Sequence, residues 1–144
     1  MPRRGFTLIE ITIVCAIVVL LAAFSFPFFN LFQGFSATEA ITFEIKESLR
    51  TAEIKARSGQ DNSNFGVYFS TGQYILYQGP NYASRNTSAD QTFTLPGNIT
   101  VSGAAEVNFT HSTGRPNTAA TIIITNIDTQ NQTNLNVNSI GLIY

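Results

Sequence analysis

The chain has 144 residues, 44% of them hydrophobic and 12% charged, with a formal net charge of −1. That length allows one modest domain beyond a helical anchor, and the balanced charge argues against a general binder of nucleic acid or anionic surfaces. A single cysteine, Cys15, excludes an internal disulfide, so an exported domain would hold together without a covalent staple.

The first element is the apolar run from Phe6 to Phe29, preceded by Arg3, Arg4 and Gly5. About 20 apolar residues at roughly 1.5 Å rise cross a hydrocarbon core of about 30 Å, so residues 6–29 are expected to span a membrane as a helix. Arg3 and Arg4 place the amino terminus on the cytoplasmic side. The run lacks the short core and small-residue cleavage site of a secretory signal, which leaves an uncut signal anchor as the competing reading. Pro27 removes a backbone donor and is expected to kink the helix, and Gly34 weakens it again. Cys15 reads as a small apolar side chain within the run.

Glu10 is the only charge between Phe6 and Phe29. A carboxylate in a spanning helix costs on the order of 3 kcal/mol near the bilayer centre and less toward an end. One reading is an interfacial acid that snorkels. The other starts from a cut after Gly5, which would give Phe6 a new α-amine. That amine on a neighbouring copy is a natural partner for the Glu10 carboxylate, and Glu10 then sets the register of packed helices.

Beyond the apolar run, Ile41, Ile45, Leu49, Ala52 and Ala56 recur at spacings of three and four and form one face of a helix that has left the membrane. Glu47–Arg50 and Glu53–Arg57 are spaced for side-chain pairing, and Gly59 is placed to cap the carboxyl end. The helix is thus expected over residues 6–58, with 6–29 transmembrane and 30–58 amphipathic.

From Gly59 the period changes to two. Phe65–Ser70 and Gln73–Gln78 flank Thr71-Gly72 and read as a hairpin. Thr92–Leu95 is a short strand stopped by Pro96. Ile99–Val101 and Glu106–His111 read as a pair around Gly103. Thr121–Asn126, Thr133–Val137 and Ile140–Ile143 complete a small antiparallel sheet domain over residues 60–144. The fold class is therefore α+β, a long helix packed on that sheet.

The heptapeptide Arg4-Gly5-Phe6-Thr7-Leu8-Ile9-Glu10 resembles the prepilin-type cleavage and methylation motif of the type IV pilin and type II secretion pseudopilin family. The resemblance covers about the first 30 residues. It implies a leader of residues 1–5, cutting after Gly5 by a prepilin peptidase, methylation of Phe6, and Glu10 as the assembly residue. More loosely, the helix end Leu49–Arg57 with Gly66–Phe69 and Tyr74–Tyr77 is similar to minor pseudopilins typified by GspH and FimT.

The resemblance implies a structural subunit, processed and then polymerised through its first helix. Its expected partners are the peptidase, sister pilins in a homo- or heteropolymer, a membrane assembly platform and membrane lipid before assembly. It would sit as a single-pass protein in the cytoplasmic membrane and then in a surface filament. The alternative is a minor tip subunit binding DNA or another ligand. Some relatives capture DNA with a basic tail, but this chain has no basic residue after Arg115, which argues against nucleic acid. His111 is the only histidine, and no triad order, metal-ligand spacing or phosphate loop accompanies it, so no catalytic site, metal or cofactor is expected.

Overall fold

The structure is a computed structural model that describes Gly5 and residues 7–144, the side chains of residues 24–37 excepted. Two compact units are present, Met1–Gln33 and Gly34–Tyr144. Helix α1 (Leu8–Arg57) belongs to both. The expected kink at Pro27 lies outside the described residues. Among the described residues no helix is long and apolar enough to cross a membrane. The expected span also takes in Phe6 and residues 24–29, which lie outside that description.

The first unit is described through the side chains of residues 7–23. Leu8, Ile9 and Val19 are 86%, 67% and 67% exposed. Thr12 bonds its hydroxyl back to the Leu8 carbonyl at 2.8 Å, which satisfies that hydroxyl within its own helix.

In the second unit the helical stripe behaves as its spacing predicts. Ile45, Leu49, Ala52 and Ala56 are fully buried, and Ile41 nearly so. Arg57 pairs with Glu53 one turn back. Glu47 and Arg50 form no ion pair among the described residues; both are solvent-exposed, where such a pair contributes little. Gly59 takes a left-handed φ of 70° and donates to the Ala56 carbonyl at 3.1 Å, ending the helix as a residue without Cβ can. The same carbonyl accepts from the Ser112 amide at 2.9 Å, tying the helix end to the β domain.

The strands are β1 (Phe65–Ser70), β2 (Gln73–Gln78), β3 (Gln91–Thr94), β4 (Ile99–Gly103), β5 (Glu106–Phe109), β6 (Ala120–Asn126) and β7 (Gln132–Val137). They form two antiparallel sheets, one ordered β3-β2-β1-β5 and the other β4-β6-β7. The first hairpin closes on Ser70↔Gln73 across Thr71-Gly72, with Gly72 at φ 74°. Every second residue faces the core: Val67, Phe69, Tyr74, Leu76, Val107 and Phe109 from the first sheet join Ile122, Ile124, Leu135 and Val137 from the second in one cluster with the helix stripe.

Two expectations fail. β4 and β5 do not pair with each other: β4 pairs with β6, and β5 pairs with β1. Gly103, at φ 96°, lets the chain turn so tightly that a Cβ there would lie 2.3 Å from the Thr121 carbonyl oxygen. Ala104 then donates to that oxygen at 3.0 Å, and the Ala105 carbonyl accepts from Phe69 at 2.8 Å. Three residues thus carry the chain from one sheet to the other. The second failure is Ile140–Ile143, which is no full strand. Asn138 folds the backbone into a turn by accepting from Ile140 and Leu142 at 3.1 and 2.9 Å, and only Ile143 bridges to Val137.

Candidate functional site

The candidate site is the start of α1. Gly5 is exposed, and a Cβ built on it meets nothing within 4 Å among the described residues. Phe6 lies outside the described residues. Thr7 stands at the helix N-cap. The Glu10 amide donates to the Thr7 carbonyl at 3.1 Å and to its hydroxyl at 3.4 Å, while the Thr7 amide donates to the Glu10 carboxylate at 3.5 Å. This is a capping box, in which a threonine and the glutamate three residues on satisfy each other's backbone donors.

The T-x-x-E spacing carries that signal in the sequence, where the apolar run and the Gly5-Phe6 pair overshadow it. The two side-chain bonds are long, and bonds of 3.4–3.5 Å are weak. Glu10 is therefore solvent-exposed and only loosely held at the positive end of its own helix dipole. A cationic amine from another chain would replace a weak bond by a stronger charge-assisted one.

The remaining polar groups of the second unit serve the fold. The Tyr74 hydroxyl donates to Glu44 at 2.8 Å and accepts from Ser48 at 3.5 Å, which joins β2 to the helix. Buried Asn108 donates to the Tyr77 hydroxyl and the Gly79 carbonyl at 3.0 and 2.9 Å and accepts from Asn64 at 3.2 Å. Burial pushes both phenols well above their ordinary value, further helped by the neighbouring carboxylates Glu44 and Glu106 and opposed by Ser48 and Asn108. Over the outer face of β1, Tyr82 stacks on Tyr68 at 3.6 Å, and the Arg85 guanidinium sits 3.8 Å from the Tyr82 ring centroid. Arg85 is held by Asp90 at 2.8 Å. No feature of the sequence singles out this stack, because its members come from a strand and from a polar loop.

His111 is half-buried, with its Nδ1 lacking a hydrogen-bond partner among the described residues, so no carboxylate orients it as a base. Among the described residues no group of three or more His, Cys, Asp or Glu side chains is arranged to hold a metal ion.

Comparison with known proteins bears on this helix and this fold. The family described as the prokaryotic N-terminal methylation motif matches residues 1–26. A fimbrial protein of Dichelobacter nodosus is 33% identical over 97 residues, which cover 61% of each chain. A type IV major fimbrial protein FimA of the same organism is 33% identical over 81 residues, 51% of each chain. The chain thus spans between half and three fifths of the length of the curated relatives it matches. The minor pseudopilin EpsH from the type 2 secretion system of Vibrio cholerae has a similar fold, with TM-score 0.58 and 15% identity over 74% of this chain and 94% of that one. The amino-terminal residues thus match a methylation-motif family, part of the chain is similar to type IV fimbrial proteins, and the fold is similar to that of a minor pseudopilin.

Proposed function

We propose that the chain is cut after Gly5, methylated on Phe6 and polymerised through its first helix into a filament, after waiting as a single-pass protein in the cytoplasmic membrane. The partners on this reading are a prepilin peptidase, a membrane assembly platform, surrounding lipid and sister subunits. The observation that carries it is the state of residues 8–23: a helix whose large apolar side chains are exposed, with Glu10 as its only charge and that charge held loosely. Such a surface needs an apolar surrounding. Lipid supplies one before assembly, and a bundle of identical helices supplies the other. Glu10 favours the bundle, because a carboxylate gains more from a neighbour's amine than from hydrocarbon.

Substitution separates the two roles of Glu10. Glu10→Val keeps the helix apolar and is expected to leave cleavage and membrane insertion intact while the subunit fails to enter filaments. Thr7→Ala removes the same cap and is expected to assemble, at a cost of about 1 kcal/mol or less in helix stability. Equal assembly defects in both variants would reduce Glu10 to a helix cap. Mass spectrometry of the native chain is expected to show methylated Phe6 at its amino terminus, and Gly5→Leu is expected to block that processing.

A further inference from the structure

The two sheets have four edges, and two of them are covered. Beside β5, Phe109 bridges to Pro116, and the Asn117 amide donates to the Asn108 carbonyl at 2.9 Å. Beside β7, Asn136 and Tyr144 exchange backbone bonds at 2.8 and 3.0 Å. The other two edges, β3 and β4, end their sheets with no strand paired to their outer side among the described residues.

Antiparallel pairing fixes which groups those edges offer, because consecutive residues bond alternately to either side. The Leu95 amide donates to Gly72 at 2.8 Å just beyond the Thr94↔Gln73 pair, so Gln91 and Phe93 bond to β2. Thr92 and Thr94 accordingly turn their amides and carbonyls outward. In β4 the bonds from Ile127 to Asn98 (2.9 Å) and from Ala104 to Thr121 (3.0 Å) bracket the ladder. Thr100 and Ser102 therefore bond to β6, while Val101 and Gly103 face outward into a cleft of about 390 Å³ that residues 68–72 of the first hairpin also line and no charged side chain does.

A row of unpaired backbone groups is a template for another strand, and exposed edges are ordinarily guarded by lysine, proline or a bulge. Neither QTFT in β3 nor ITVSG in β4 contains a charge or a proline. Each edge presents two amide–carbonyl pairs two residues apart, so the two match in length and pattern. They lie on different sheets, so a contact between them joins unlike patches of two identical copies. Such heterologous contacts propagate into open polymers or rings.

We propose that β3 of one copy pairs with β4 of the next, adding a backbone contact between exterior domains to the contact made by the helices. This pairing rests on the filament reading and names a second interface within it. In antiparallel pairing Thr94 comes opposite Val101 at a separation a disulfide can bridge.

The test uses the full chain, assembled in cells, in a Cys15→Ala background. Filaments carrying both Thr94→Cys and Val101→Cys are oxidised and run on a non-reducing gel. The expected result is a ladder at multiples of the chain mass, absent from either single-cysteine variant. Filaments of the double variant that sediment normally yet give no ladder would overturn the edge contact and leave helix-driven polymerisation standing. Dimers from a single-cysteine variant would overturn it too, since they put like edges together. A cross-linked band at no multiple of the chain mass would show a different subunit in the cleft and overturn the second copy as occupant. Should the double variant fail to assemble, Thr92→Pro and Val101→Pro decide. Each removes an outward amide and spares its own ladder, so sedimentation of both at the wild-type level would refute the contact. A wild-type chain that never sediments would overturn both readings.

Discussion

Two tyrosines show how single residues tie the β domain together. Tyr74 and Tyr77 lie on one strand and reach different elements: Tyr74 reaches back to Glu44 and Ser48 on the helix, and Tyr77 reaches Asn108 and Glu106 on β5. Both donate to or sit beside carboxylates, and burial keeps both phenols neutral far above the ordinary value of 10.0. A raised folded-state pKa means that the folded form holds its proton more tightly than the unfolded chain. Stability is then fully present below about pH 10 and is lost as pH rises toward the folded-state values. The expected outcome is a thermal midpoint that stays level through neutral pH and falls steeply in strong alkali. The tyrosinate absorbance of Tyr74 and Tyr77, read as the part lost in their phenylalanine variants, should appear together with unfolding rather than before it. Tyr77→Phe should flatten part of that alkaline fall, though it leaves the Asn108 amide with one fewer partner. If Tyr77→Phe and the wild type have the same alkaline profile, the proton on Tyr77 has no part in the effect.

At the scale of elements, the hairpin and the helix stripe were legible in the sequence because each is set by local periodicity. Alternation from Phe65 to Gln78 with Thr71-Gly72 between fixes both faces and the turn, and the three–four spacing from Ile41 to Ala56 fixes the buried face of α1. Strand partners are less legible: alternation in Ile99–Val101 and Glu106–Phe109 shows which side chains turn inward but not which strand lies alongside. What decides is Gly103, whose positive φ and close approach to Thr121 send β4 and β5 into different sheets. The start of α1 divides in the same way. The Gly5-Phe6 pair, the apolar run and Glu10 are readable as a motif, whereas the Thr7 cap gains its meaning only once the helix begins at Leu8. Gly103→Ala tests the crossover. It places a methyl group against the backbone oxygen of Thr121 in β6, and it forces an alanine into a left-handed conformation at a cost of about 1–2 kcal/mol before any clash. The expected result is a drop in thermal midpoint well beyond that of Gly97→Ala, whose added Cβ meets nothing within 4 Å. Equal midpoints for the two variants would show that the crossover tolerates a side chain.

Over the whole molecule, one helix supplies two different kinds of apolar surface. From Ile41 to Ala56 its stripe is buried in a cluster shared by both sheets, and this burial holds the β domain on the helix. From Leu8 to Leu21 comparable side chains are exposed within their own chain, the surface that the proposed filament would cover. Stability and assembly should therefore separate along the chain. Leu49→Ala opens a cavity where helix and sheets meet, with an expected cost of about 2–5 kcal/mol. A domain of this size has only about 5–15 kcal/mol in total. Its thermal midpoint, measured in detergent on the full chain, should fall by roughly 10–25 °C. Leu20→Ala removes the same atoms from a side chain that is 60% exposed within its own chain, and it should leave that midpoint unchanged. On the proposed filament reading its effect falls on the polymer, where it should lower the yield of sedimentable filaments or the shear they survive. A Leu20→Ala chain that melts early would mean that the first half of α1 also braces its own β domain, and the division of labour along the helix would fail.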